Sequence, residues 1–276
     1  MKNLLGIMQG RLVPKFNNNF QAHPFGYWEK EFFIASELGF DCIEFILDFY
    51  KANQNPLLSS EGIKNIKNIS SKTKVKVNSI CADYFMENPV FSEDLKEANS
   101  NFKVLKNLVL AADELEIQDI VIPFVDKSSI NISKRKFETT ISFLRDLCSE
   151  TKNNKVRFCL ETDLPPEKFM LMMEKINNRR MSINYDTGNS VSNGFDFVNE
   201  FNIYGDLVTN IHIKDRTLGG GSVNLGEGDM NFIEFFKYLN FRGYDGMFVM
   251  QAYREDNAIN SLKPQLKYIL DIISTY

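Results

Sequence analysis

The amino-acid sequence predicts a single (β/α)₈ barrel that spans all 276 residues. Eight short apolar runs recur along the chain, rich in β-branched and aromatic residues. They lack the strict alternation of half-buried strands, as is typical of parallel strands that are buried on both faces. Amphipathic helical patterns fill the intervals between the runs, and no Pro- or Gly-rich linker separates them into domains.

The predicted strands follow one another at regular intervals. They are LLGIMQG (4–10), CIEFIL (42–47), VKVNSICA (75–82), IVIPFV (120–125), VRFCLE (156–161), MSINYD (181–186), VTNIHI (208–213) and GMFVMQ (246–251). A doubly wound open sheet is the alternative fold, but such a sheet rarely needs eight consecutive units. No GxGxxG motif follows the first run either, so the barrel is favoured.

The helices are predicted from the spacing of apolar residues and from residues that cap helix ends. Three helices are each predicted from a set of apolar residues that share one face. The sets are Phe102, Leu105, Val109, Ala112 and Leu115 for the first helix, Phe137, Ile141, Leu144 and Cys148 for the second, and Phe232, Phe235, Phe236 and Leu239 for the third. Asp94 and Ser133 are typical N-terminal caps. Pro165 and Pro166 stand where a further helix would begin.

Composition and charge exclude several classes of protein. A hydrophobic fraction of 43% and a charged fraction of 25% are typical of a soluble globular protein. Proteins that bind nucleic acids normally have a basic face, whereas the net charge of this chain is −4. We therefore expect no nucleic-acid partner. No apolar stretch approaches the ~18 residues of a membrane span, and no signal-peptide pattern opens the chain. We therefore expect no membrane association and a cytoplasmic location.

Polar residues end four consecutive predicted strands, the fifth to the eighth. These residues are Glu161, Asp186, His212 and Gln251. Active sites of (β/α)₈ barrels lie at the carboxyl ends of the strands, where neighbouring strand ends converge. Each residue alone could be a helix cap, a salt-bridge partner or a hydrogen-bonded core residue. Together, two carboxylates, an imidazole and an amide oxygen predict a site for Mn²⁺, Mg²⁺, Co²⁺ or Zn²⁺.

The other histidine, His23, falls in the polar segment KFNNNFQAHPFG (15–26). From this setting we expect it to be a surface residue or part of a lid.

Five segments resemble the xylose isomerase-like barrel superfamily, and within it the sugar-phosphate isomerase/epimerase branch. They are GIMQGR (6–11), CLETD (159–163), NYDTGN (184–189), NIHIKDR (210–216) and VNLGEGD (223–229). The resemblance runs along the whole chain. It implies one divalent metal ion held by a Glu, an Asp, a His and a second Glu. Glu161, Asp186 and His212 match the first three, whereas Gln251 stands where the second Glu belongs.

The resemblance also implies a reaction. In such enzymes the metal ion binds adjacent sugar oxygens and stabilises an enediolate. One Glu removes the carbon-bound proton, and the other returns a proton. An amide has no proton equilibrium near neutrality, so Gln251 excludes two-base epimerisation with Glu161 and predicts weaker metal binding. Glu161 could act alone, or Asp215, Glu227 or Glu44 could replace the missing acid.

The segment after the seventh strand is where such enzymes close over the substrate, and its cationic residues contact polar or phosphorylated substrate ends. We expect substrate contacts from Arg11, Glu44, Asn189, Lys214, Arg216 and Glu227. The Gly-rich run GGGSVNLGEGD (219–229) precedes a helix predicted to start near Asp229 or Asn231, and could offer N–H groups to a phosphate or form a flexible lid.

These observations predict a metal-dependent isomerase or epimerase-like enzyme that acts on a small sugar or sugar phosphate. The alternatives are a catalytically reduced sugar-binding or regulatory protein and a dehydratase. DNA repair of the AP-endonuclease type shares the superfamily, but it uses several metal ions and many histidines, and this chain has only two. Because barrels of the branch are often dimers or tetramers, we also expect a homo-oligomer.

Overall fold

The computed structural model describes residues 3–92 and 94–276, and each predicted run forms a strand there. The strands are β1 (Leu5–Met8), β2 (Cys42–Ile46), β3 (Lys76–Cys81), β4 (Asp119–Phe124), β5 (Arg157–Thr162), β6 (Met181–Asp186), β7 (Val208–Ile213), β8 (Asp215–Arg216), β9 (Ser222–Val223) and β10 (Met247–Met250). Their hydrogen-bonded order closes a barrel, β1-β10-β7-β6-β5-β4-β3-β2, while β8 and β9 form a separate hairpin. The predicted barrel is thus confirmed.

Helices fill the intervals between the strands. They are α1 (Glu29–Leu38), α2 (Ser60–Thr73), α3 (Tyr84–Glu87), α4 (Leu95–Leu115), α5 (Lys134–Glu150), α6 (Pro166–Ile176), α7 (Thr187–Ser192), α8 (Phe197–Tyr204), α9 (Phe232–Arg242) and α10 (Ala258–Ile273). Short 3₁₀ turns lie at Phe16–Asn18, Ala52–Gln54, Pro56–Leu58, Asp126–Ser128 and Gly205–Leu207.

The predicted helix caps are confirmed. The Asp94 carboxylate accepts hydrogen bonds from the first turn of α4, and the Ser133 hydroxyl does the same for α5. Helix α6 begins at Pro166, as expected for a residue without an N–H group. The sequence pattern predicts one helix per interval, whereas the structure adds the short helices α3 and α7. Helix α7 forms directly after β6 because the Asp186 side chain accepts the N–H of Asn189 and caps it.

Two compact units divide the chain. One comprises residues up to Glu44, residues 73–75 and residues 184–276; the other comprises residues 45–72 and 76–183. In the first unit, β10 pairs in parallel with both β1 and β7, and Val249 is in register with His212. In the second unit, β4 pairs in parallel with β3 and β5. A single domain over residues 1–276 stays a prediction.

Aromatic side chains fill much of the core of the first unit. Phe235 and Phe236 of α9 are fully buried, and the Phe236 ring packs edge-on against Phe248 of β10. All four cysteines are buried. None of the helices in the described residues combines the length and apolarity needed to cross a membrane.

The segment between β1 and α1 is held in place by buried charged side chains. Oε1 of Glu31 accepts the N–H groups of Gly10 (2.7 Å) and Leu12 (3.1 Å). The Arg254 guanidinium donates to the carbonyl oxygens of Gly10 and Val13. Gly10 has a φ of +81°, and a Cβ atom there would lie 2.6 Å from the Ala22 carbonyl oxygen, so only glycine fits this turn.

The segment between β7 and α9 is an ordered hairpin held by one carboxylate. Strands β8 and β9 pair antiparallel, with Arg216 opposite Ser222. Asp215 is fully buried, and its Oδ2 accepts the N–H groups of Gly226 (2.9 Å) and Gly228 (3.0 Å). Its Oδ1 accepts those of Arg216 (3.0 Å) and Met230 (3.2 Å). Two of the amides that could have bound a phosphate are therefore already engaged by Asp215.

Removing the Glu31 charge should change how stability depends on pH. Burial raises the pKa of the Glu31 carboxyl to about 7. Because the folded protein then holds this proton more tightly than the unfolded chain, Glu31 lowers the free energy of unfolding as pH rises from about 4.5 to about 7, by at most about 3 kcal/mol. We expect Glu31→Gln to remove this decline. Urea denaturation at several pH values would measure it, with the exposed Glu37→Gln on the same helix as control. Parallel pH profiles for Glu31→Gln and the wild type would contradict the assignment.

Removing the Asp215 carboxylate should loosen the hairpin. Asp215→Ala leaves the Gly226, Gly228 and Met230 amides without their acceptor, at a cost on the order of 1–3 kcal/mol. Amide hydrogen exchange over residues 215–230 should therefore accelerate, and the thermal midpoint should fall. Asp206→Ala, which removes only an exposed ion pair with Arg242, should change neither measurement appreciably. Unchanged exchange in Asp215→Ala would show that the carboxylate does not hold the hairpin.

Candidate metal centre

Glu161, Asp186 and His212 are brought together as the sequence predicts. All three are buried, and each lies at or within one residue of the carboxyl end of its strand. One carboxylate oxygen each from Glu161 and Asp186 and one ring nitrogen of His212 lie within 4.8 Å of one another. Two ligands that are each about 2.1 Å from one ion can be at most about 4.2 Å apart, so a small side-chain movement suffices to close the set on an ion.

Glu44 contacts the His212 ring and orients it. Oε1 of Glu44 is 2.6 Å from Nε2 of His212, and Oε2 accepts a hydrogen bond from Nδ2 of Asn210 at 2.9 Å. All three side chains are fully buried. The carboxylate therefore has a fixed position against β7 and is shielded from solvent. A contact of this residue with substrate stays a prediction that these bonds disfavour.

Gln251 directly follows Met250, the last residue of β10. Its N–H donates to the carbonyl oxygen of Ile213 at 3.0 Å. Because side chains alternate along a strand, Gln251 lies on the same face as Val249, the residue in register with His212. Its Nε2 donates to Oε1 of Gln21 at 2.8 Å. Among the described residues, the buried Oε1 of Gln251 has no hydrogen-bond partner, which makes it the atom that a ligand would satisfy.

Lys214 places a positive charge beside one of the predicted metal ligands. Its Nζ lies 3.3 Å from Oδ2 of Asp186, whose Oδ1 accepts the N–H of Asn189 at 2.8 Å. The Arg216 guanidinium donates to Oδ1 of Asn189 at 3.0 Å and to the carbonyl oxygen of Gly220. Both carboxylate oxygens of Asp186 therefore have protein partners that fix their orientation. Arg216 links α7 to the β8–β9 hairpin.

Three further predicted site residues have contacts that differ from the expectation. The Asp215 carboxylate accepts four backbone hydrogen bonds, so a role in proton transfer is disfavoured. Glu227 is exposed and accepts a hydrogen bond from Asn224. Arg11 is buried and donates to the Phe20 carbonyl oxygen (2.8 Å) and to Gln21 (2.9 Å). Substrate contacts from these residues stay predictions.

The expectation that His23 is a surface residue is wrong, and a place in a lid stays a prediction. The residue is fully buried, with Nδ1 2.9 Å from Oε1 of Gln9 and its ring edge-on to Phe25 at 4.6 Å. Burial lowers the pKa of the imidazole to about 3, so the ring is neutral at physiological pH. The three asparagines of the segment suggest exposure, whereas the aromatic residues that follow His23 are the signal that it turns inward. Sequence reasoning also missed Gln21, which has no distinguishing pattern.

Comparisons with known proteins agree with this fold. The L-ribulose-5-phosphate 3-epimerase UlaE of Salmonella heidelberg is 24% identical over 239 residues, which cover 83% of each chain. The D-psicose 3-epimerase of Clostridium cellulolyticum H10, solved with D-tagatose, superposes with a TM-score of 0.75 at 14% identity, over 98% of this chain and 99% of that one. The IOLI protein, solved with a zinc atom, superposes with a TM-score of 0.77 at 14% identity, over 99% of both chains.

The profile of one family matches most of the sequence. Residues 32–272 match the family described as xylose isomerase-like TIM barrel. The matched range includes β2 to β10 and all of the predicted metal ligands. This protein therefore belongs to the xylose isomerase-like TIM barrel family.

Proposed function

We propose that this protein is a divalent-metal-dependent isomerase or epimerase that acts on a small sugar or sugar phosphate. The observation that carries the proposal is the buried cluster of Glu161, Asp186 and His212. The names of the relatives support the type of reaction, because UlaE is a sugar-phosphate epimerase and the structure of D-psicose 3-epimerase contains a ketose. The zinc atom of the IOLI protein supports the use of a metal ion.

The chemistry of the residues fits a divalent cation. Two buried carboxylates close together repel each other, and burying uncompensated charge is costly. Lys214 contributes only one positive charge, beside Asp186. A divalent ion would balance both carboxylates and would also satisfy the carbonyl oxygen of Gln251. Since Glu44 engages Nε2 of His212, the ion would bind the other ring nitrogen, Nδ1.

The side chains around the ion then have distinct roles. An ion held by Glu161, Asp186, His212 and Gln251 would supply polarisation of adjacent sugar oxygens, which would ease removal of a proton from the neighbouring carbon. Glu161 accepts that proton, because a carboxylate can act as a base whereas the amide of Gln251 cannot. Lys214 holds positive charge close to the substrate oxygens. Asp215 holds the hairpin that covers this end of β7.

A single base favours one kind of proton transfer. Glu161 can remove a proton from one carbon and return it to the neighbouring carbon on the same face. If a hydroxyl proton also passes between the two adjacent oxygens, these transfers interconvert an aldose and a ketose. Inversion of a carbon needs a second group on the opposite face, and Gln251 does not supply one. We therefore favour isomerisation.

A cytoplasmic location and a homo-oligomeric state stay predictions.

Catalysis by Glu161 can be tested through exchange of substrate protons with solvent. We expect metal-loaded protein to catalyse exchange of a carbon-bound proton in at least one member of a panel of ketoses and ketose phosphates in D₂O. Glu161→Gln should slow this exchange by about 10²–10⁴-fold, because it removes the base. The exposed Glu174→Gln on α6 should exchange as fast as the wild type. Ligand-induced stabilisation without exchange in any member would instead identify a sugar-binding protein.

The role of Glu44 can be tested through metal affinity. An amide at this position can present its NH₂ group to Nε2 of His212, which would move the ring proton to Nδ1, the nitrogen that the ion needs. We expect Glu44→Gln to weaken binding of Mn²⁺ or Co²⁺ by about 10–100-fold in calorimetric titration. Glu61→Gln, exposed on α2, should bind as the wild type does. Equal affinities for Glu44→Gln and the wild type would show that Glu44 does not orient the ligand.

A further inference from the structure

We infer that Arg11 and Gln21 are positioning residues that determine which end of the Gln251 amide faces the metal centre. The inference rests on the proposed metal-dependent function and extends it to two residues that would not touch the ion. The question arises because the two ends of an amide are similar in size. A rotation of 180° exchanges a carbonyl oxygen, which can bind a cation, for an NH₂ group, which cannot.

The first step is the contact between Arg11 and Gln21. A guanidinium group has only donors, so whichever end of the Gln21 amide faces it must be the oxygen. The Arg11 guanidinium lies 2.9 Å from Oε1 of Gln21 and also donates to the Phe20 carbonyl oxygen at 2.8 Å. Its planar face lies over the Phe20 ring at 4.8 Å. These contacts hold the guanidinium in place, so the orientation of Gln21 follows from chemistry alone.

The second step transmits this orientation to Gln251. The same oxygen of Gln21 accepts a hydrogen bond from Gln251 at 2.8 Å. The end of Gln251 that faces Gln21 must therefore be the NH₂ group. The other end, Oε1, is consequently the carbonyl oxygen, which is buried and has no hydrogen-bond partner among the residues that the structure describes. Two successive hydrogen bonds thus leave an oxygen, and not an NH₂ group, as the end of the Gln251 amide that an ion could bind.

Burial makes this relay effective. Arg11 is 2% exposed and Gln251 is 6% exposed, whereas Gln21 between them is half-buried. A reversed Gln251 amide would set its oxygen against the oxygen of Gln21 and lose a part-buried hydrogen bond. Arg11 is itself held by its neighbour Gly10, whose N–H and carbonyl groups bind Glu31 and Arg254. Glu31 and Arg254 therefore also help to position Arg11 through the backbone of Gly10.

The relay also explains why an amide suits this position. A carboxylate at residue 251 would direct an oxygen at Oε1 of Gln21, which Arg11 holds as an acceptor. Two acceptors would then face each other without a proton between them. Gln251 is the side chain that offers a donor to Gln21 and an oxygen to the ion at the same time.

The test compares metal binding in variants that break or preserve the relay. The probe is Co²⁺, followed by calorimetry for affinity and by visible absorption for the coordination environment. Gln251→Leu shows how much Co²⁺ affinity and absorption change when the Gln251 carbonyl oxygen is lost. Gln21→Leu and Arg11→Met should each weaken Co²⁺ binding by about tenfold and shift the absorption bands as Gln251→Leu does. Combining Gln21→Leu with Gln251→Leu should cause no further loss, since both changes remove the same ligand.

Two variants control the comparison. Gln21→Glu keeps an acceptor for both Arg11 and Gln251, so it should retain or exceed the wild-type affinity. Gln54→Leu, an exposed site in a 3₁₀ turn, should bind Co²⁺ as the wild type does. Circular dichroism and thermal midpoints confirm that each variant is folded, and the Gln21→Glu variant tests the relay even where Gln21→Leu is unstable.

The outcomes separate this inference from the proposed function. Wild-type affinity and spectrum in Gln21→Leu, together with weaker binding in Gln251→Leu, would overturn the relay and leave the metal centre standing. Wild-type binding in Gln251→Leu would overturn the inference because the amide would not be a ligand. A wild-type protein that binds no divalent ion at all would overturn the proposed function and the inference with it.

Discussion

Glu44 and His212 face each other at 2.6 Å in the interior, where both side chains are shielded from water. A buried carboxylate is stable only if its oxygens are engaged, and here His212 and Asn210 engage both. The pairing fixes the imidazole ring against β7 and sets which ring nitrogen is directed toward Glu161 and Asp186 if an ion binds. The geometry of the whole candidate site depends on this contact, because the other ligands converge on a ring that cannot turn freely.

Buried charges also hold the two segments that border the site. Glu31 accepts N–H groups and Arg254 donates to carbonyl groups of the β1–α1 turn, and Asp215 binds the backbone of the β8–β9 hairpin. In each case a side chain satisfies N–H or carbonyl groups that no regular secondary structure reaches. Loops built in this way are ordered without being regular, and they can hold side chains such as Gln21 and Lys214 in defined positions. Asp215, a candidate catalytic group in the sequence, thus has a structural role in the fold.

The strands, the helix caps and the clustering of Glu161, Asp186 and His212 could be predicted because each depends on local pattern. Apolar runs mark strands, a Ser or Asp before a helix marks its cap, and equivalent strand ends converge once a barrel closes. The positions of His23, Arg11 and Asp215 could not be predicted in the same way. Their partners are set by how the loops fold back, and the asparagines before His23 suggest exposure although the aromatic residues after it indicate burial. Gln21 was missed for the same reason, since its importance comes only from the two donors that it bridges.

By itself, the sequence determined the order of strands and helices, the barrel, and the residue types that gather at the carboxyl ends of β5, β6 and β7. These features follow from hydrophobic periodicity and from the topology that it implies. Only the tertiary structure decided which polar groups pair with one another: Glu44 with His212, Asp215 with the hairpin amides, and Gln251 with Gln21. The physical reason is that hydrogen bonds are short and directional, so residues more than two hundred positions apart, such as Gln21 and Gln251, acquire their roles only when folding brings them within 3 Å.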